Sequence, residues 1–415
     1  MNNRTRNHLV FASNIAVFWP GFNLMSPVTI LPVFVSFLTD SSILIGSIPP
    51  LAQIAYAIPL IYGARYFEGR PYKCRRLVTI VTIGRMPFIA FGAFVIISGG
   101  RPSVLLLVLF FLALFSLGGT TGFSYAAWAD TFSKVVDRRS RGRLIGISQT
   151  VGGGIAGVAV LAATRLMGDD PFPIGFGILF IVAALILTLA YGQLVLLKEP
   201  PSPPVESDPN PIWQAASRIP RLLRQDPNFR SLIIARLLIG YGMTSFGFFA
   251  IFATRRFDIT VEQIGLLTTI LLITQTIANL GSGYLNDRIG SVRLAAVGGL
   301  GALIAAVLAA TALDPIALYP IFMCVGFSQA AFAIADFTLV LDAAPRERMP
   351  TYLATYNVGV SPLLLPAALA AGVLVDIAGF RPMFIASAVL GLAGIVLMAR
   401  VARRQSLSET SALTP

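Results

Sequence analysis

The sequence predicts an all-α integral membrane protein, with twelve transmembrane helices arranged as two six-helix bundles (6+6) related by a pseudo-two-fold. Three observations carry that prediction. The 415 residues are 56% hydrophobic and only 12% charged, with a mean hydropathy of +0.78. So few polar side chains cannot cover the surface of a water-soluble fold of this length. Twelve apolar runs follow one another along the chain, each long enough for the roughly 20 helical residues that cross a bilayer. Finally, two stretches half a chain apart read alike. AWADTFSKVVDRRSRGR (127–143) and AIADFTLVLDAAPRERMP (333–350) each place an aspartate at the end of an apolar run and follow it with a basic loop. The offset between Asp130 and Asp336 is 206 residues, close to half of 415, as expected for a duplicated unit.

The runs fall at 9–38, 43–66, 77–98, 103–132, 144–167, 173–197, 229–254, 261–286, 292–312, 315–341, 351–376 and 382–402. The first follows a short basic segment but is too long for a cleaved signal and has no A-x-A-like site, so it is read as a retained helix. Asn3-Arg4-Thr5 fits a glycosylation sequon, but at an expected cytoplasmic position it is a chance match. Prolines at 20, 27, 32, 49, 50 and 59, and the two within 361–366, mark expected kinks. Gly152-Gly153-Gly154 in the fifth run allows close helix approach. The main break is 198–228, whose first half, KEPPSPPVESDP, cannot hold a helix. Its second half, about Trp213 to Arg224, reads as an amphipathic helix on the inner membrane face. The chain therefore divides into a bundle at 1–197, a cytoplasmic linker at 198–228, a bundle at 229–402 and a cytoplasmic tail at 403–415. Six spans per half give the two copies the same direction across the membrane.

Charge placement sets topology. Of 31 Lys and Arg, five (Arg101, Arg165, Arg255, Arg256, Arg381) lie in or at the edge of one set of loops and two (Arg85, Arg236) lie deep within runs. The other 24 fall in the amino terminus, the alternate loops and the tail, which places both termini in the cytoplasm. The net charge of +12 is thus topological and does not point to nucleic acid. The two cysteines, Cys74 and Cys324, and the single histidine, His8, offer no metal-ligand spacing, so no metal and no cofactor are expected.

GYLNDRIGSVR (283–293) resembles the loop motif of the major facilitator superfamily: Gly283, Asp287, Arg288 and Gly290 match, while Ser291 replaces the usual basic residue. The first-half copy, GARYFEGRPYKCRR (63–76), is degenerate, with Phe67 at the aspartate position. Together with span count, 6+6 division and loop charge, the resemblance covers nearly the whole chain. It implies two rocking bundles with solute bound between them. It also implies a cytoplasmic gate in which Asp287 caps a neighbouring helix and Arg288 pairs with a carboxylate. Asp130, Arg138, Arg141, Arg346 and Arg348, in the paired loops, join that expected gate.

Intramembrane charges are costly and need partners. Two pairs are expected, Arg236 with Asp336 and Arg85 with Asp130, with snorkelling as the alternative for Arg85. Other polar candidates for binding solute are Asn14, Asn23, Tyr125, Trp128, Tyr241, Gln329, Tyr356 and Asn357. Most isolated Ser and Thr hydroxyls are expected to bond their own helix backbone. The expected protein is not an enzyme, since no nucleophile–base constellation is visible. It is a monomeric carrier in a bacterial cytoplasmic membrane, with lipid, a small organic or amphipathic solute and protons as its partners. Proton-coupled export (antiport of a drug or metabolite) comes first, facilitative or symport uptake second, and lipid handling on a transporter fold third.

Overall fold

The computed structural model describes residues 3–67, 70–136, 141–168, 171–201, 223–343 and 349–413. These residues form α-helices with short 3-10 turns and no strand. In chain order the helices are α1 (Asn3–Asn23), α2 (Ile30–Ser36), α3 (Ser42–Phe67), α4 (Cys74–Ile97), α5 (Val104–Val135), α6 (Arg141–Leu166), α7 (Ile174–Gly192), α8 (Pro227–Gly242), α9 (Phe246–Phe257), α10 (Val261–Ile289), α11 (Ser291–Thr311), α12 (Leu318–Ala343), α13 (Met349–Ala378) and α14 (Phe380–Leu413). Among the described residues, ten helical stretches are long and apolar enough to cross a membrane. The other two expected spans are α1 with α2, which is interrupted, and α13, whose apolar part is Leu363–Ala378.

The break between α1 and α2 has a local cause. Pro27 has no N–H and disfavours a helical Ser26. The chain turns instead, with the Ser26 hydroxyl accepting from the backbone N–H groups of Val28 (3.4 Å) and Thr29 (3.3 Å). The other expected kinks are not breaks: α3 runs unbroken through Pro49, Pro50 and Pro59, and α13 through Pro362 and Pro366. The seventh span is interrupted without proline, by the 3-10 turn Met243–Ser245 between α8 and α9. There Ser245 donates to the Gly242 carbonyl at 3.0 Å. The last helix continues to Leu413, through the segment expected as a tail. The expected linker helix falls mostly outside the described residues.

The chain divides into two compact units. Unit 1 comprises residues 1–40, 51–209 and 258–272; unit 2 comprises 41–50, 210–257 and 273–415. The division differs from two contiguous halves at two segments, each with a packing reason. In unit 2, Gly372 lies so close to the start of α3 that a Cβ would stand 2.5 Å from Ile43 Cα. The Asp376 carboxylate also accepts the Ser42 N–H there, at 3.1 Å. In unit 1, Thr269 donates to the Gly157 carbonyl at 3.0 Å, and Arg165 pairs with Glu262 at 3.1 Å.

Unit 1 is held at one end by phenylalanines around the fully buried Phe34, whose ring centroid lies 4.8 Å from Phe180 and 5.4 Å from Phe176. Unit 2 relies on small residues. A Cβ on Gly298 of α11 would lie 2.9 Å from Ala331 Cβ on α12, and one on Gly242 of α8 would lie 2.8 Å from Gly391 Cα on α14. Lipid tails give no hydrophobic drive for helices to associate, so such close backbone approach supplies the packing. Many exposed side chains on the spans are apolar, as with Ile97, Leu166 and Ile277, which suits contact with hydrocarbon.

Candidate functional site

In unit 2 the two expected intramembrane charges meet. Arg236, on α8, donates from Nε to Asp336 Oδ1 at 2.7 Å and from Nη2 to Oδ2 at 2.8 Å. The guanidinium also lies over the Phe332 ring, 4.5 Å from its centroid. Asp336 and Phe332 are one helical turn apart on α12 and share a face. Gln329 is one turn further along and accepts from Gln275 Nε2 at 3.4 Å. Arg236 is buried while the Asp336 side chain is a third exposed. The arrangement is a two-pronged ion pair with its carboxylate on the more accessible side. Tyr241, half-buried, lies in the last turn of α8. Tyr356 and Asn357 lie on α13, but their side chains are outside the described set.

The motif residues close α10. Asp287 and Arg288 occupy its last turn, both exposed, and the Arg288 guanidinium stacks on Tyr284 at 4.3 Å. No ion pair of Asp287 or Arg288 occurs among the described residues. Gly290 adopts φ 82°, a left-handed geometry that suits glycine and lets α11 start at the next residue. Gly283 has room around it, since a Cβ there would meet only Ile334, at 3.9 Å. The motif side chain that reaches a neighbouring helix is Asn286, which accepts from Thr338 on α12 at 3.2 Å.

In unit 1, Asn14 ties three helices together. It donates to the Ala190 carbonyl (2.8 Å) and accepts from Trp128 Nε1 (2.8 Å). Asn14 and Trp128, both candidates for binding solute, are thus committed to one another. Tyr125 stacks on Trp128 at 5.8 Å and meets Tyr56 edge-on at 5.9 Å; its own side chain is 43% exposed. Asn23 bonds the Trp19 carbonyl of its own helix, at 3.0 Å. Several hydroxyls behave as expected, including Thr121 on Leu117 and Thr244 on Tyr241. Ser328 instead bonds the neighbouring helix, at the Gly298 carbonyl.

The expected pair of Arg85 with Asp130 is not formed, and Arg85 does not snorkel. Arg85 is 0% exposed; it donates from Nη1 to the Leu187 carbonyl and lies over the Tyr191 ring at 4.6 Å. Asp130 is instead gripped by Lys73 Nζ (2.8 Å) and Lys134 Nζ (2.5 Å). The physical reason is proximity. Lys134 is one turn along the same helix, and Lys73 sits at the amino end of α4, while Arg85 lies about three turns deeper in that helix.

Sequence reasoning missed Glu199, which it left in the linker. Its carboxylate accepts the backbone N–H of Lys73 (2.9 and 3.0 Å to its two oxygens) and of Cys74 (2.9 Å), capping the free amino end of α4, and it lies 3.7 Å from Lys134. An anion there meets the positive end of the helix dipole. The available signal was an acidic residue directly after the sixth span, set against a basic loop. Of the other gating candidates, Arg141 begins α6 with its side chain outside the described set. Arg138, Arg346 and Arg348 lie outside the described residues.

Residues 232–414 match the family model described as Major Facilitator Superfamily. No curated relative matches the chain. Several solved structures share its fold. A variant of the nucleoside transporter NupG is 11% identical, with 96% of this chain and 100% of that one covered and a TM-score of 0.70. A POT family transporter in complex with 5-aminolevulinic acid is also 11% identical, covering 98% and 96%, with a TM-score of 0.70. The E. coli fucose:proton symporter FucP is 15% identical, covering 97% and 99%, with a TM-score of 0.61. The family match is to transporters, not to enzymes. The resemblance read in GYLNDRIG is confirmed: residues 232–414 carry the family's sequence pattern, and the chain as a whole is a multi-pass membrane protein with the twelve-helix major facilitator fold.

Proposed function

We propose that this chain is a secondary active transporter that moves a small organic solute by alternating access and couples that movement to protons through Asp336. The observation that carries the reading is the two-pronged pair of Arg236 and Asp336 on membrane-spanning helices. Charges kept within spans mark ion and substrate paths. Protonating Asp336 removes the negative half of the pair and releases Arg236, so one proton changes what holds α8 to α12. The nucleoside transporter, the POT family transporter in complex with 5-aminolevulinic acid and the fucose:proton symporter that share the fold support a small-molecule substrate. We place the chain in a bacterial cytoplasmic membrane with both termini inside, on the loop charges.

Antiport, the direction expected from sequence, and symport, the mode named for FucP, can use the same carboxylate. They differ in whether solute and proton travel together. The test is a thermal-shift screen of metabolites and drugs on the purified chain, since a ligand of the native state raises apparent stability. Each ligand found is then followed in proteoliposomes under an imposed pH gradient. Uptake driven by an inward proton gradient supports symport, and extrusion driven by it supports antiport. Transport indifferent to the gradient and to an uncoupler would remove the proton from the mechanism.

A further inference from the structure

Arg85 lies deep within a described span of unit 1 and has no counter-ion among the described residues. It is 0% exposed. Its Nη1 is used by the Leu187 carbonyl and one of its faces by Tyr191, while Nε and Nη2 are buried with no hydrogen-bond partner among the described residues. Those two nitrogens lie on one edge of the planar guanidinium, with their N–H groups directed alike, which is the geometry that grips two oxygens of one carboxylate. The same molecule shows that edge in use: Arg236 holds Asp336 through Nε and Nη2 at 2.7 and 2.8 Å. Within unit 1, Asp130 is committed to Lys73 and Lys134, Glu199 to the start of α4, and Glu262 to Arg165.

We propose that the Nε/Nη2 edge of Arg85 receives the carboxylate of a transported solute, so that the substrate class is an organic carboxylate with an apolar or aromatic body. This rests on the transporter reading and narrows it. A purely structural pin between α4 and α7 accounts for Nη1 and for nothing on the other edge. Gly84, the residue beside Arg85, has Thr120 so near that a Cβ would stand 2.0 Å from it, and its carbonyl accepts from Ser116 at 2.7 Å. Helix α5 is thus pressed against α4 at the residue before Arg85. The body of the solute would meet aromatic faces: Tyr191 over the guanidinium, Phe18 at 6.2 Å from Tyr191, and the stacked Tyr125 and Trp128. Buried as Arg85 is, carboxylate binding requires the Tyr191 ring to give way, and the dry setting then strengthens the fork.

The experiment is a thermal-shift titration of the full chain in detergent. Its ligands are acetate, benzoate, phenylacetate and octanoate, each compared with its neutral amide. At least one carboxylate raises the unfolding temperature where its amide does not. Its apparent affinity falls about thirtyfold or more in Arg85→Gln, the loss typical when one partner of a buried charged pair is truncated. Arg85→Lys recovers part of the affinity, as a point charge without the fork. No carboxylate distinguished from its amide on the native chain overturns the proposal, and so does an undiminished shift in Arg85→Gln. Should that variant not fold, the comparison on the native chain decides alone. Labelled counterflow in proteoliposomes separates the two readings. Carboxylate binding without counterflow keeps the fork and removes transport; counterflow of neutral solutes alone does the reverse.

Discussion

Breaking the Arg236–Asp336 pair from its two sides should give unequal losses. The two side chains differ in exposure, 9% for Arg236 and 33% for Asp336. Asp336→Ala strands a guanidinium that is nearly out of solvent, a situation that costs about 3–5 kcal/mol in buried pairs. Arg236→Ala strands a carboxylate that still reaches solvent, so the loss falls to about 1–3 kcal/mol. Replacing both with apolar residues of similar size, Arg236→Met with Asp336→Leu, removes the stranded charge altogether. That double variant should lie within about 1 kcal/mol of the native chain, since buried ion pairs often exchange for apolar packing at little net cost. Equilibrium unfolding in mixed micelles, followed by tryptophan fluorescence, measures all of these chains, and adding Arg236→Ala with Asp336→Ala closes a double-mutant cycle that gives the coupling. Strictly additive losses would show that the two groups do not interact. Equal losses from the two single changes would refute the argument from exposure.

Three further outcomes follow from the packing. Glu199→Ala uncaps α4 and should cost about 0.5–2 kcal/mol. Because Cys74 is 7% exposed beside that cap, its maleimide labelling should speed up; an unchanged labelling rate would show that Glu199 does not hold the helix end. Gly242→Leu drives a side chain into α14, where even a Cβ would stand 2.8 Å from Gly391 Cα. Overpacking of that kind costs about 1–3 kcal/mol, and a native-like unfolding curve would contradict the close contact. Trp128→Phe removes the Nε1 bond to Asn14 and should cost about 0.5–1.5 kcal/mol. In an Asn14→Ala background the same change should cost measurably less, and an identical loss there would mean the bond contributes nothing.

The twelve spans were legible because each apolar run is a bilayer crossing and the bilayer allows little else. The Arg236–Asp336 pair was legible for a related reason: two opposite charges within spans of one half have few other partners. Arg85 did not follow, because Asp130 had a nearer choice in Lys73 and Lys134. Proline alone does not decide where a helix breaks. At Pro27 the Ser26 hydroxyl offered the freed backbone another partner, whereas α3 continues through three prolines. Glu199 was hidden because its role depends on backbone N–H groups 125 and 126 residues away. No local spacing encodes that contact. Segments 41–50 and 258–272 were assigned by chain order, but the units are set by which glycines and hydroxyls admit a close neighbour, as at Gly372 and Thr269.

The central claim is that Asp336 links solute movement to protons, and one measurement addresses it most directly. Proteoliposomes holding the native chain or Asp336→Asn are loaded with a pH-sensitive dye, and a ligand from the thermal-shift screen is added outside. The account predicts that solute addition shifts the internal pH for the native chain. In Asp336→Asn it predicts no such shift, while solute counterflow continues. Equal proton movement in both chains would contradict it.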